Sequence, residues 1–289
     1  MISDTALDHL QRVVGNPDFA GTRYEVLSVL GRGGIGTVYL ARDSVLDREV
    51  AVKVLDSLVG DQALAEHLQQ EARILARLEH PGVVPVHDFG RLADGRLFYA
   101  MKRVRGQRLD RWAATADPHA RLAVFLRMCD AVAFAHAHGV IHRDLKPENV
   151  MVGEFGEVLV LDWGIAGFVV GTPSYMAPEQ RRSDTTVDER ADIHALGAIL
   201  AGLVDGPKAL IAIAAKAQSI EPRDRYQHVL ELSADVARFM SGLAVHAHAE
   251  TVVDRFVRLG RRYRVPIALV LAYLVMRLLL IWTLRVCST

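Results

Sequence analysis

The stretch VIHRDLKPENVMV, Val140 to Val152, constrains this chain more than any other. Polar or charged side chains, among them His142, Arg143, Asp144, Lys146 and Asn149, stand between two short apolar runs of strand character. An ordinary solvated turn has no need of that combination. The spacing suits chemistry on a hydroxyl group. Asp144 can orient the hydroxyl and take its proton, Lys146 can neutralise a transferring phosphoryl group, and Asn149 can hold a metal ion. A further carboxylate, Asp162, follows the apolar run EVLVL, at a strand end where a Mg2+ ligand would sit.

The segments around this stretch sort into two halves. Tyr24 to Leu55 reads as strands, YEVLSVL, TVYLARD and REVAVKVL, divided by a Gly-rich turn and an Asp-containing one. In the first turn, Gly31, Gly33 and Gly36 let a backbone approach phosphates without Cβ clashes, although a plain Gly-rich hairpin turn has the same composition. A strand rather than a helix follows, which argues against a dinucleotide-binding turn. Lys53 is a lone cation in the apolar run VAVKVL and either faces solvent or has a partner. The helical pattern of Ala63 to Leu78 supplies one: Glu71 lies on the face of Leu68 and Leu75, where a carboxylate is costly unless paired.

Two more strands, in GVVPVHDFG and RLFYAMKRV, flank the turn at Asp94-Gly95. Beyond Gly106 the character is mainly helical: Pro118 to His138 with Gly139 as its C′ residue, Ala191 to Val204, Leu210 to Ala217, and Val229 to Met240. A small β-rich half followed by a larger helical half is an α+β arrangement of two lobes with a cleft between them.

Composition narrows the setting. Of 289 residues 51% are hydrophobic, ample for a core, and 34 basic residues balance 34 acidic ones, so charge gives no argument for a nucleic-acid partner. Cys129 and Cys287 are far apart and lack metal-ligand companions, which fits a reducing compartment. The acidic and basic residues among Met1 to Ala20 do not read as a secretory signal. His136 and His138, like His246 and His248, have no third ligand nearby and read as ordinary surface histidines. From Val265 to Leu284 the only charge is Arg277, and at ~1.5 Å per residue this run spans ~30 Å. Five arginines between Arg255 and Arg264 precede it, which by the positive-inside bias puts the N-terminal bulk in the cytoplasm.

Together these motifs resemble the bacterial, eukaryotic-like Ser/Thr protein kinase family, over roughly Tyr24 to Gly242. The resemblance implies a two-lobed protein kinase fold, and the apolar run beyond it reads as a single C-terminal transmembrane helix. The divisions are an N-terminal extension over 1–23, an N-lobe over 24–103, a C-lobe over 104–243, a basic juxtamembrane segment over 244–264 and a membrane helix over 265–285. The resemblance further implies ATP and Mg2+ as cofactors, protein substrates and an arrangement open to homodimers, while the C-terminal helix implies a tether to the membrane. Position by position, Gly31, Gly33 and Gly36 cover the nucleotide, and Val38, Ala51, Met101, Lys102 and Val104 line its pocket and hinge. Lys53 and Glu71 are the phosphate-anchoring pair, Asp144 is the base, Lys146 its phosphate-binding companion, and Asn149 and Asp162 the metal ligands. Thr172 matches the Ser/Thr branch, Glu179 with Arg225 the pair that braces the helical lobe, and Asp192 the anchor of the catalytic loop.

This chain departs from the family in three places. Trp163 stands where Phe is usual. The segment from Gly164 to Gly171 is short and has no Ser or Thr, so a loop packed through Phe168 and Val169 that needs no activating phosphate is expected. After Asp205-Gly206-Pro207 the chain passes almost directly into ALIAIAAKAQ, where a substrate-docking helix is usual. The alternative reading is a catalytically weak or inactive ATP-binding pseudokinase scaffold.

Overall fold

The computed structural model describes residues 17–32, 36–55, 69, 72–163, 172–182, 187–204, 206–248 and 269–277. Strands β1 (Tyr24–Arg32), β2 (Gly36–Asp43), β3 (Arg48–Leu55), β4 (Val86–Arg91) and β5 (Leu97–Lys102) form one sheet in the order β1-β2-β3-β5-β4. All its neighbours are antiparallel. The two-residue period of β3 decides what its two faces do. Val50, Val52 and Val54 join Tyr24, Tyr39, Phe98 and Ala100 in one cluster. Ala51 and Leu55 turn the other way, into a second cluster with Tyr99 and Met101. Lys53 shares that second parity. Gly36 is where β2 comes closest to β3: a Cβ there would stand 2.3 Å from the Val54 carbonyl oxygen, so no other residue fits without a backbone shift.

Helix α1 (72–77) belongs to this half. The larger half begins with the short β6 (Gly106–Arg108) and α2 (Leu109–Thr115), followed by α3 (Pro118–Ala137). Asp117 caps α3 by accepting from the His119 and Ala120 amides, with Pro118 at the first position. The helix ends where Gly139 takes φ +73° and the Val140 amide returns to the Ala135 carbonyl. β6 pairs with β7 (Val150–Gly153), which pairs with β8 (Val158–Val160). Helices α4 (Pro178–Arg181), α5 (Arg190–Leu203), α6 (Lys208–Ala217) and α7 (Val229–Met240) complete the lobe. Its core joins Phe125, Met128 and Val132 of α3 to Ile193, Leu196 and Leu200 of α5, and to Leu232 and Val236 of α7.

Residues 244–247 fold back on α7. Asp235, fully buried, accepts from the His246 and Ala247 amides and from the Tyr226 hydroxyl, while Arg238 Nε donates to the Ala244 carbonyl. Residues 269–277 form helix α8, with Leu269, Leu271 and Met276 exposed. Among the described residues no helix is long and apolar enough to cross a membrane. The result is two lobes, a β-sheet N-lobe and a helical C-lobe.

Candidate active site

The cleft face of the N-lobe sheet carries Val38, Ala51, Met101 and Val104 in one apolar cluster, with Leu161 packed against it from the segment after β8. Ala51 pairs with Met101, and Lys53 with Tyr99, across β3 and β5. The Lys53 ammonium lies 5.8 Å from the Tyr99 ring centre and donates to Asp162 Oδ1 at 2.7 Å. That contact joins residues 109 apart in sequence. Burial alone would raise the Asp162 carboxyl, but Lys53, with His142 and Lys146 nearby, outweighs it and holds the group below the usual carboxylate range. Asp162 sits at φ +50°, a left-handed backbone that a non-glycine residue adopts only where its surroundings fix it.

Asp144 is the hub of the second group. Lys146 Nζ donates to its Oδ2 at 2.7 Å, and Asn149 Nδ2 to its carbonyl at 2.8 Å and to Oδ2 at 3.2 Å. The Thr172 amide reaches Oδ1 at 3.3 Å. The short 3-10 turn Pro147–Asn149 sets this spacing, with Pro147 fixing its first position. The loop beneath is held from below. Asp192, 1% exposed, accepts the His142 amide on Oδ2 and the Arg143 amide on Oδ1, both at 2.8 Å. Arg143, at φ +66°, is the other strained residue of the site. Burial pushes the His142 imidazole down, so it stays neutral: Nε2 donates to the Leu161 carbonyl while Nδ1 accepts the Asp144 amide.

Two further contacts brace the segment after the site. Glu179, buried, takes two bonds from Arg225, at 2.6 and 2.8 Å. Gln180 donates to the Arg143 carbonyl and accepts the Ala177 amide. Trp163 is fully buried, its indole N–H on the Val160 carbonyl and its ring 4.9 Å from that of His142.

Comparison with known proteins bears on this geometry. The protein kinase domain family matches residues 24–250. The chain belongs to the protein kinase domain family. Among relatives, pkn3 of Myxococcus xanthus, a serine/threonine-protein kinase, is 41% identical over 64% of this chain and 38% of its own length. PknD of Chlamydia caviae, also a serine/threonine-protein kinase, is 31% identical over 76% of this chain and 31% of its own. Among solved structures, the PknI kinase domain of M. tuberculosis superposes with a TM-score of 0.63 at 31% identity, covering 78% of this chain and 98% of that one. The chain thus spans about a third of the length of the curated relatives it matches.

Membership of the family implies ATP and a divalent metal ion, and the residues of this kinase domain suit both. The metal-facing donors are hard oxygens, since Asn149 commits its amide nitrogen to Asp144 and leaves its amide oxygen, and Asp162 is a carboxylate. The apolar slot of Val38, Ala51, Met101 and Leu161 suits a flat heterocycle. Gly31 is the second-last residue of β1 and Gly36 begins β2, whereas Gly33 and Glu71 lie outside the described residues, and with them the Lys53–Glu71 pairing. The segment 164–171, on which the expectation of a self-packed loop rests, lies outside them too.

His136 needs correcting. It is no surface histidine: its side chain is 5% exposed and its Nε2 donates to Asp192 at 2.7 Å. A His three residues before a helix-ending Gly gives no sequence signal for this, because the partner is 56 positions away. Leu161, the floor of the apolar slot, was likewise missed. Its position directly before Asp162 was the available clue.

Proposed function

We propose that this kinase domain transfers the γ-phosphoryl group of ATP to serine and threonine hydroxyls of protein substrates. The observation that carries the reading is the convergence of Lys53, Asp144, Lys146, Asn149 and Asp162, drawn from both lobes, with Asp144 bonded to Lys146 and Asn149. In the reaction the substrate oxygen forms a bond to the γ-phosphorus, the bond to the β–γ bridging oxygen breaks, and ADP leaves with that electron pair. Asp144 accepts the hydroxyl proton, and Lys146 stands where it can neutralise the phosphoryl oxygens. Lys53 anchors the nucleotide phosphates. Asn149 and Asp162 would hold Mg2+, which supplies charge neutralisation between the phosphates. Gly31, Gly33 and Gly36 cover the nucleotide, Val38, Ala51 and Met101 enclose its base, and Lys102 to Val104 form the hinge.

The test is transfer of radiolabelled phosphate from ATP to a protein acceptor by the full chain and by Asp144→Asn. Transfer by the wild type, reduced about 10³-fold in the variant, is expected. Equal transfer by both would end this reading.

We also read residues 265–285 as a single membrane-spanning helix that leaves lobes 24–103 and 104–243 in the cytoplasm. Support comes from the apolar run broken only by Arg277, and from the exposed apolar side chains of 269–276. Deleting 265–289 should release the kinase domain from membranes, whereas extraction of the full chain by alkaline carbonate would contradict the anchor.

A further inference from the structure

The end of α7 turns the chain back on itself. Gly242, at φ +66°, donates its amide to the Phe239 carbonyl at 2.9 Å, and the Leu243 amide reaches the Arg238 carbonyl at 2.8 Å. This paired ending sends the residues that follow back along the helix. Arg238 Nε donates to the Ala244 carbonyl at 2.6 Å, and Val245 enters the same buried cluster as Leu232 and Val236. Asp235 then holds the end of the return. Its Oδ1 accepts the His246 amide at 2.8 Å and the His246 Nδ1–H at 2.9 Å. Its Oδ2 accepts the Ala247 amide at 3.0 Å and the Tyr226 hydroxyl at 2.9 Å.

Asp235 is fully buried, and a buried carboxylate is costly unless donors meet both of its oxygens. Burial alone would raise its carboxyl, but the His246 amide, the Tyr226 hydroxyl and the Ala247 amide outweigh that and keep the group charged. Residues 246 and 247 supply three of these four donors, each bonded to a charge and so of the strong class. Peeling them away would leave the carboxylate on the Tyr226 hydroxyl. That fourth donor leads to the site. Tyr226, 3% exposed, directly follows Arg225, which donates twice to Glu179. Gln180, the next residue of α4, donates to the Arg143 carbonyl, one position before Asp144.

We propose that residues 242–247 form a latch belonging to the catalytic domain, and that Asp235 is a positioning residue for phosphotransfer. It keeps the latch closed and, through Tyr226, steadies the Arg225–Glu179 brace of the segment 172–182. This rests on the phosphotransferase reading above. The latch sits where the chain leaves the helical lobe for its arginine-rich stretch, so a pull on that stretch acts first on 246 and 247.

Contiguity is not coupling, so the test reads both ends. It uses the full chain with Asp235→Asn, Tyr226→Phe, the two combined, Gly242→Ala, and Val236→Ala as a core control. The readouts are kcat, the KM for ATP, and amide hydrogen exchange at His246 and Ala247 and at Ala177 and Arg181, whose amides are bonded within the braced segment. Asp235→Asn should speed exchange about tenfold at the latch and about fivefold at Ala177 and Arg181. It should lower kcat about fivefold and keep the KM for ATP within about twofold. Tyr226→Phe leaves the latch amides bonded, so their exchange should stay within about twofold while kcat and the braced segment change as in Asp235→Asn. The combined variant should be no worse than Asp235→Asn, because both act through one bond. Gly242→Ala strains the left-handed turn and should loosen the latch and lower kcat together. Val236→Ala, assayed well below its melting temperature, should keep kcat within about twofold. Should Asp235→Asn prove too unstable to purify, Gly242→Ala and Tyr226→Phe decide the matter. A loosened latch with unchanged kcat and unchanged exchange at Ala177 and Arg181 overturns the proposal, as does a kcat loss in Val236→Ala equal to that of Asp235→Asn. If the wild type transfers no phosphate, the phosphotransferase reading falls, and exchange at Ala177 and Arg181 still decides whether the latch steadies the brace.

Discussion

Two ion pairs of this molecule use the same chemistry to opposite ends. Glu179 and Arg225 are 8% and 0% exposed at their side chains, and Arg225 spends every nitrogen: two bonds to Glu179, and others to the carbonyls of Ser219, Arg190 and Ile220. The pair lies wholly within the helical lobe. Lys53 and Asp162 join the N-lobe to the segment after β8, and Asp162 keeps 41% of its side chain exposed. A saturated, dry pair fixes structure, because removing one partner strands a buried charge. A pair whose carboxylate is only partly buried, set on strained backbone, is available for a ligand. The difference teaches that saturation, more than charge, distinguishes a brace from a working site.

Mutation can break this comparison. Lys53→Met and Asp162→Ala should each cut phosphotransfer by about 10³-fold or more, since each removes phosphate or metal positioning. Their melting temperatures should stay within a few degrees of wild type. Arg225→Ala should do the reverse, costing about 3–5 kcal/mol of stability, or roughly 6–20 °C in melting temperature for a domain of this size. Calorimetry and phosphate transfer on all three variants decide the matter. A stable Arg225→Ala protein that has merely lost transfer would erase the distinction.

The same contrast explains what was legible in the sequence. β-Branched-rich runs between turns located the N-lobe strands, even β1, which is exposed beyond Tyr24, and apolar periodicity located the main helices. The residues bonded to Asp144 were legible because Lys146 and Asn149 lie within five positions of it, and a local turn brings them together. Contacts between distant positions were legible only where the family resemblance supplied them, as for Glu179 with Arg225. Where it did not, they were lost. His136 reads as solvent-exposed until α5 is seen to bring Asp192 to it. Asp235 gives no hint that it will gather the amides of 246 and 247 onto α7. The bond of Lys53 to Asp162 depends on how the two lobes meet, while the expected partner Glu71 lies outside the described residues.

The smallest effect sharpens the comparison from the side of the brace. His194 of α5 is 7% exposed, and its Nδ1 has no hydrogen-bond partner among the described residues. Burial first, and the Arg225 charge second, push its imidazole below the usual value, against the weaker pull of Tyr175 and Glu179. A depressed folded value means that the unfolded chain binds more protons than the folded one just below pH ~6.5. The stability His194 contributes is therefore whole above that pH and is lost as pH falls towards the folded value, by at most about 1.4 kcal/mol per pH unit. The carboxyls of Glu179, Asp192 and Asp235 are also depressed, and their contribution is whole above about pH 4 and lost below it. Acid melting should thus proceed in two windows. His142 and His87, both lowered by burial, share the upper one. His194→Leu should reduce the slope of melting temperature against pH between about 6.5 and 5 and leave the window below 4 unchanged. An unaltered upper slope would mean that the brace around Arg225 does not sense the protonation of its neighbour.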